Sequence, residues 1–171
     1  MRPHPLLSSI FLLLVFCLHL PAVFPAPGEK LIPRNDLLII PGKRAGAIEL
    51  GASIDRIEGR IGRGIIAPRK DFQIYSFPQY LMDLCVQKDL VVMILLVNPR
   101  YKTREGICVG GSASSIIRAF GKNYEYEEMN NADHDYIIQF WERGISFSVK
   151  KEQITKIKVF NQKLVMKQMF K

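Results

Sequence analysis

Apolar and polar positions change period several times along the chain, and each change marks an element. Residues 37–40 form an uninterrupted apolar run, which predicts a short strand, and Pro41-Gly42 predicts the turn that ends it. Ile48 and Leu50 share one phase while Glu49 takes the other, which predicts a half-buried extended segment. The period then lengthens. Ile54, Ile57 and Ile61 fall on one face of a short helix. Ser53 predicts its N-cap, because a serine hydroxyl accepts from the free N–H groups of a first turn. Asp55 suits the positive helix end, and Gly62 is free to adopt the backbone that stops the helix. Gly59 in mid-helix costs about 1 kcal/mol relative to alanine. Burial of each isoleucine contributes about 1.5–3 kcal/mol, so packing outweighs it.

Residues 63–71 read as a basic loop carrying Arg63, Arg69 and Lys70. Residues 72–75, 80–87 and 90–97 read as strands, with Lys88-Asp89 as a tight turn. The run VVMILLV at 91–97 is apolar throughout, as in a strand buried on both faces. The second half follows the same plan. Residues 106–109 are the extended lead-in, and Ser112 is the cap. Ala113, Ile116, Ile117 and Phe120 form the helix face, and Gly121 is the stop. A polar loop follows, then a strand at 136–141 and a hairpin of 144–149 and 154–160. Ile145, Phe147 and Val149 alternate with Ser146 and Ser148, and Ile157 and Val159 with Lys156 and Lys158, which predicts half-exposed strands.

Residues 51–62 and 110–121 both read G-x-S-x-x-x-I-x-x-x-(Ile/Phe)-G. Ile48, Ile57 and Gly62 match Ile107, Ile116 and Gly121 at one constant offset. Val86, Val91 and Ile94 match Val149, Ile154 and Ile157 at a slightly longer one. This register predicts an internal duplication. The expected fold is therefore α+β: two tandem repeats, each a short helix packed on an antiparallel sheet of about three strands. The first unit is 37–98 and the second 99–171, ending in a basic tail.

Residues 1–26 carry Arg2 and then an apolar stretch of about 15 residues, long enough for a signal peptide and short of the roughly 20 that a span needs. The segment is read as a signal peptide or an N-terminal membrane segment, with 27–36 as a linker. Cys17 raises lipidation as an alternative, although small residues do not precede it. An exported chain is permitted disulfides. Cys85 and Cys108 take the outward phase of their segments, so they read either as a pair or as free thiols.

Of 171 residues, 48% are hydrophobic and 23% charged, a globular composition. Lys plus Arg number 24 against 16 Asp plus Glu, net +8, which favours acidic surfaces such as anionic lipid. The basic residues are dispersed and no nucleic-acid module is present, so nucleic acid is not expected as a partner.

The run Ile48, Leu50, Gly51, Ser53, Ile57, Ile61, Gly62 resembles the opening helix of the bacterial small outer-membrane lipoprotein domain of the SmpA/OmlA (BamE) type. The helix-then-strands unit in tandem is similar to beta-lactamase inhibitor protein. The resemblance implies an exported, envelope-associated binding protein without enzymatic activity, and it transfers no functional residues.

Asp133-His134-Asp135, with Glu125, Glu127 and Glu128 upstream, is the one cluster with ligand chemistry, but it matches no metal motif and reads as a solvated acidic loop. The basic loop of the first half and this acidic loop of the second are expected to attract one another if the halves pack about a pseudo-twofold. Gly59, Gly62 and Gly64 lack the G-K-(S/T) ending of a phosphate loop. Ser53 and Ser112 are explained as caps. Tyr124, Tyr126, Tyr136, Phe140 and Trp141 are aromatic neighbours; alternating core and surface positions explain most of them, and a contact patch for a partner is the alternative. No catalytic, cofactor-binding or metal residue is assigned, and no cofactor is expected. The expected role is a non-enzymatic exported or cell-envelope module binding a protein or an anionic membrane surface. The alternatives are a structural envelope lipoprotein, and a hydrolase or metal-binding protein using the Asp133–Asp135 loop.

Overall fold

The computed structural model describes residues 36–129 and 135–165. The chain begins with three short strands, β1 (Leu38–Ile40), β2 (Arg44–Ala45) and β3 (Ile48–Glu49), and then helix α1 (Ile54–Ile61). Strands β4 (Ile65–Pro68), β5 (Gln73–Phe77), β6 (Met82–Gln87) and β7 (Leu90–Leu96) follow, with a 3-10 turn at Pro78–Tyr80. After β8 (Lys102–Thr103) comes helix α2 (Ala113–Phe120). The chain closes with β9 (Glu125–Glu128), β10 (Tyr136–Phe140), a 3-10 turn at Trp141–Arg143, β11 (Ile145–Lys150) and β12 (Gln153–Phe160).

Strands pair in the order β4-β5-β6-β7-β12-β11-β10-β9, an 8-stranded sheet, and β3-β2-β1-β8 form a small second sheet. This corrects the expected two helix-on-sheet units with about three strands each. The fold is sheet-dominated and both halves enter one sheet. The reason lies in β7 and β12, which pair along Leu96–Ile157 to Met93–Phe160. Edges that separate units would leave open are hydrogen-bonded to each other, and an unpaired apolar edge is a liability. Each half also supplies four strands, because β4 and β9 lie where the sequence reads as loop.

The helices begin and end where their signals stand. Ser53 Oγ accepts from the Arg56 N–H at 3.4 Å, and Ser112 Oγ from the Ser114 N–H at 3.3 Å. Gly62 and Gly121 hold φ of +91° and +84° and donate to Glu58 and Ile117 carbonyls. The hairpin turns complete each cap: the Ile54 N–H donates to the Asp89 carbonyl, and the Ala113 N–H to that of Glu152. Gly51 and Gly110 donate to Val91 and Ile154. The G-x-S stretch therefore straps the chain across the hairpin while it starts the helix.

Both helices and the small sheet cover one face of the large sheet. Ile54, Ile57, Ile61, Ile116 and Phe120 pack there against Leu84, Ile94, Phe147 and Ile157. On the opposite face Cys85, Val92, Met93, Phe160 and Val165 form a second cluster. Cys85 does take the phase opposite Leu84, but that face is covered, so the thiol is buried instead of outward. Among the described residues, Cys85 and Cys108 are both free, so they do not bridge one another. Burial first, and then Asp83, pushes the Cys85 thiol up to about 11.

Candidate functional site

The basic and acidic segments lie at opposite edges of the large sheet. The edge strand β4 carries Ile65 and Ile66, 66% and 53% exposed, flanked by exposed Arg63, Arg69 and Lys70. The edge strand β9 carries exposed Glu125, Glu127 and Glu128. With six strands between them, β4 and β9 are not neighbours, so the expected attraction of the two segments within one chain does not form. Asp133 and His134 lie outside the described residues. Asp135 Oδ2 accepts from the Lys151 N–H at 2.8 Å, which ties it to the β11–β12 turn. Among the described residues, no group of three His, Cys, Asp or Glu is placed to hold a metal, and no helix is long and apolar enough to cross a membrane. Cys17 lies outside the described residues.

A groove of about 300 Å³ runs between α2 and the β9–β10 edge. Its floor comes from the helix, through Ala113, Ser114 and Ile117, and from Ile138 of β10. Its wall is Tyr124, Tyr126 and Tyr136, with Glu152 of the β11–β12 turn at the end. The local reason is register. Tyr126 stands opposite Ile138 and Tyr136 opposite Glu128, so Tyr124, Tyr126 and Tyr136 share the helix-covered face. Tyr126 is left 53% exposed and Tyr124 38%.

The Tyr126 and Tyr136 rings tilt together at a centroid distance of 5.2 Å, and Tyr124 meets Phe140 at 5.8 Å. The Tyr136 hydroxyl donates to Glu152 Oε1 at 2.9 Å. Partial burial, and then this carboxylate as hydrogen-bond acceptor and charge, push the Tyr136 phenol up to about 12. The Tyr126 phenol is also raised, by desolvation first and then by Glu128 and Glu152. Glu128 and Glu152 place these aromatic faces in a negative field, an arrangement whose chemistry suits a cationic or amine-bearing group.

Of the five aromatics grouped by sequence, the structure brings Tyr124, Tyr126 and Tyr136 to the groove. Phe140 is core, 5.2 Å from the Phe120 ring. Trp141 packs on Phe160 at 5.2 Å, with the cluster on the other face. Sequence reasoning did not place Ile117 and Glu152 at this site. Glu152 sits in the tight turn whose carbonyl caps α2, and only the pairing of that turn with the helix start reveals the placement.

No family model and no curated protein matches the chain. Among solved structures, it is similar to a cysteine-rich secretory protein from Staphylococcus aureus subsp. aureus Mu50, at 13% identity and TM-score 0.53. That match covers 76% of this chain and 48% of the other. A weaker match is an extracellular protein containing an SCP domain from Bacillus anthracis str. Ames. It has 8% identity and TM-score 0.44, over 67% of this chain and 45% of that one. The chain thus matches just under half the length of each neighbour. The single 8-stranded sheet and the fold likeness to the Staphylococcus aureus protein overturn the resemblance to the SmpA/OmlA (BamE) domain and to beta-lactamase inhibitor protein. The helix motif carrying that resemblance is a local capping device, and it fits one continuous sheet as well as two small ones.

Proposed function

We propose that the protein is an exported, non-enzymatic binding module whose binding surface is the groove formed by Tyr124, Tyr126, Tyr136, Ile117 and Glu152. Export is supported by the apolar segment after Arg2 and by the fold shared with a secretory protein. The reading without catalysis is supported by the employment of Ser53 and Ser112 as helix caps and of Asp135 at a turn. The observation that carries the binding role is exposed Tyr126 stacked on half-buried Tyr136, with Glu152 fixed beside them. Aromatic rings combined with carboxylates fit a basic, partly apolar segment of another protein. Anionic lipid is repelled by Glu125, Glu127 and Glu128 on the adjacent strand, so a protein partner is favoured over a membrane surface.

The test is fluorescence anisotropy of a labelled peptide alternating lysine and leucine, against a glutamate-and-leucine peptide. The full chain binds the lysine peptide saturably. Tyr126→Ser weakens that binding about tenfold, the equivalent of about 1.4 kcal/mol. Equal binding of both peptides, or binding unchanged by Tyr126→Ser, contradicts the proposal.

A further inference from the structure

The two ends of the large sheet fit one another. All seven junctions from β4 to β9 are antiparallel, so β4 and β9 run in opposite directions. A second copy moved along the sheet, without turning over, therefore brings its β4 antiparallel to β9 of the first, with all helices on the same face. Both strands have 4 residues.

Backbone alternation shows which groups are free to pair. The Arg69 N–H donates inward to Phe72 and the Met129 N–H inward to Asp135. Because inward and outward positions alternate along an antiparallel strand, Ile66 on β4 and Tyr126 on β9 turn their N–H and C=O outward. Ile66 stands opposite Tyr75, and Tyr126 opposite Ile138. Tyr75 and Ile138 both belong to the helix-side core, so the side chains of Ile66 and Tyr126 lie on that same face.

Charge selects the mode of pairing. Two β9 edges meeting each other would set Glu125, Glu127 and Glu128 against like charges, and two β4 edges would do the same with Arg63 and Arg69. The mixed pairing sets acid against base and covers Ile65 and Ile66, the two most exposed isoleucines among the described residues. Pro68 lacks an N–H and confines the pairing to the Ile66 end of β4.

We infer that the β9 edge takes β4 of a second copy of this chain, so that the protein associates head to tail into an open, continuing sheet. The inference deepens the proposed function and rests on it, since Tyr126 belongs to both surfaces. A heterologous contact of this kind leaves one free edge at each end of every assembly, so growth does not stop at a dimer.

The test is sedimentation equilibrium of the full chain across a concentration series. Ile66→Pro and Tyr126→Pro each remove one outward N–H and leave the inward ladder intact. Wild-type mass is expected to rise with concentration past the dimer, and each variant alone to remain a single chain. An equimolar mixture of the two variants is expected to double in mass and stop, because each supplies the edge that the other lacks. Should a proline variant fail to fold by circular dichroism, Arg63→Glu with Arg69→Glu gives the same loss of assembly by charge repulsion at exposed positions. Wild-type mass independent of concentration, assembly that ends at a dimer, or variants that assemble like wild type would overturn the inference. Saturable binding of the lysine peptide to a wild-type chain that stays single overturns self-association and leaves the groove reading standing.

Discussion

The two halves of the large sheet are built alike up to their edges and differ at them. Each has a helix capped by serine and stopped by glycine, a hairpin turn that closes over the helix start, and a 3-10 turn ending in a left-handed residue. At the edges the first half presents Ile65, Ile66, Arg63 and Arg69, and the second Tyr126 with three glutamates. What the halves share is explained by helix capping and core packing. What separates them is exposed, charged and unnecessary for either, and that is where binding chemistry is placed.

The sharpest internal contrast is between Leu81 and Gly144. Both hold left-handed backbone, φ +51° and +67°, and both carbonyls accept from the far end of the hairpin that follows, from Val97 and Phe160. Leu81 projects into solvent, 48% exposed. Gly144 meets the Gly42 turn, and a Cβ there would lie 2.6 Å from Gly42 Cα and press on the Phe160 carbonyl. Gly144→Ala is expected to cost about 3–4 kcal/mol in urea unfolding, from clash plus left-handed strain. Leu81→Gly should change stability by no more than about 1 kcal/mol. Equal effects at the two sites would break the comparison.

A smaller effect is expected on the face away from the helices. Ser146 and Ser148 are buried, and their hydroxyls have no hydrogen-bond partner among the described residues. Ser148→Ala removes a desolvated hydroxyl and should raise stability by about 1 kcal/mol in the same measurement. The cap serines should contribute less, because their bonds are long. Ser53→Ala and Ser112→Ala are each expected to cost about 0.5–1 kcal/mol, and similar values at both sites would sharpen the likeness of the halves.

The last effect falls on pH dependence alone. Tyr136 keeps its proton up to about 12, while the unfolded chain's phenol ionises near the ordinary 10.0. Its contribution to stability is therefore complete below that ordinary value and is lost as pH rises through the window between the two. Glu152→Gln should bring the late phenolate absorbance change down toward the ordinary value. An unchanged titration curve would remove Glu152 from the site.

Much of the helical architecture was legible in the sequence, because capping and amphipathic spacing are local. Ser53, Gly62, Ser112 and Gly121 stand where the helices start and stop. The strands β5, β7, β10, β11 and β12 were legible through their apolar phases. The edge strands were not: β9 is exposed at every position and β4 at three of four, so neither buries a face that would impose alternation. The pairing of β7 with β12 was also hidden. Lys156 and Lys158 made β12 look half-exposed, yet burial first, and then Lys156, hold the Lys158 ammonium below its ordinary value. Long aliphatic stems let lysines lie along apolar surface, and sequence alternation cannot distinguish that from open solvent. The groove was half legible: its tyrosines stand together in sequence, whereas Ile117 and Glu152 reach it only through tertiary placement.

The account stands on one sheet joined at β7–β12, which leaves two unlike edges. Residue-resolved amide hydrogen exchange on the dilute protein tests this most directly. The account predicts the slowest exchange at the amides paired across β7 and β12, and fast exchange at the outward amides of Ile66 and Tyr126. Fast exchange along β7 and β12, with protection confined to two separate groups of strands, would contradict it.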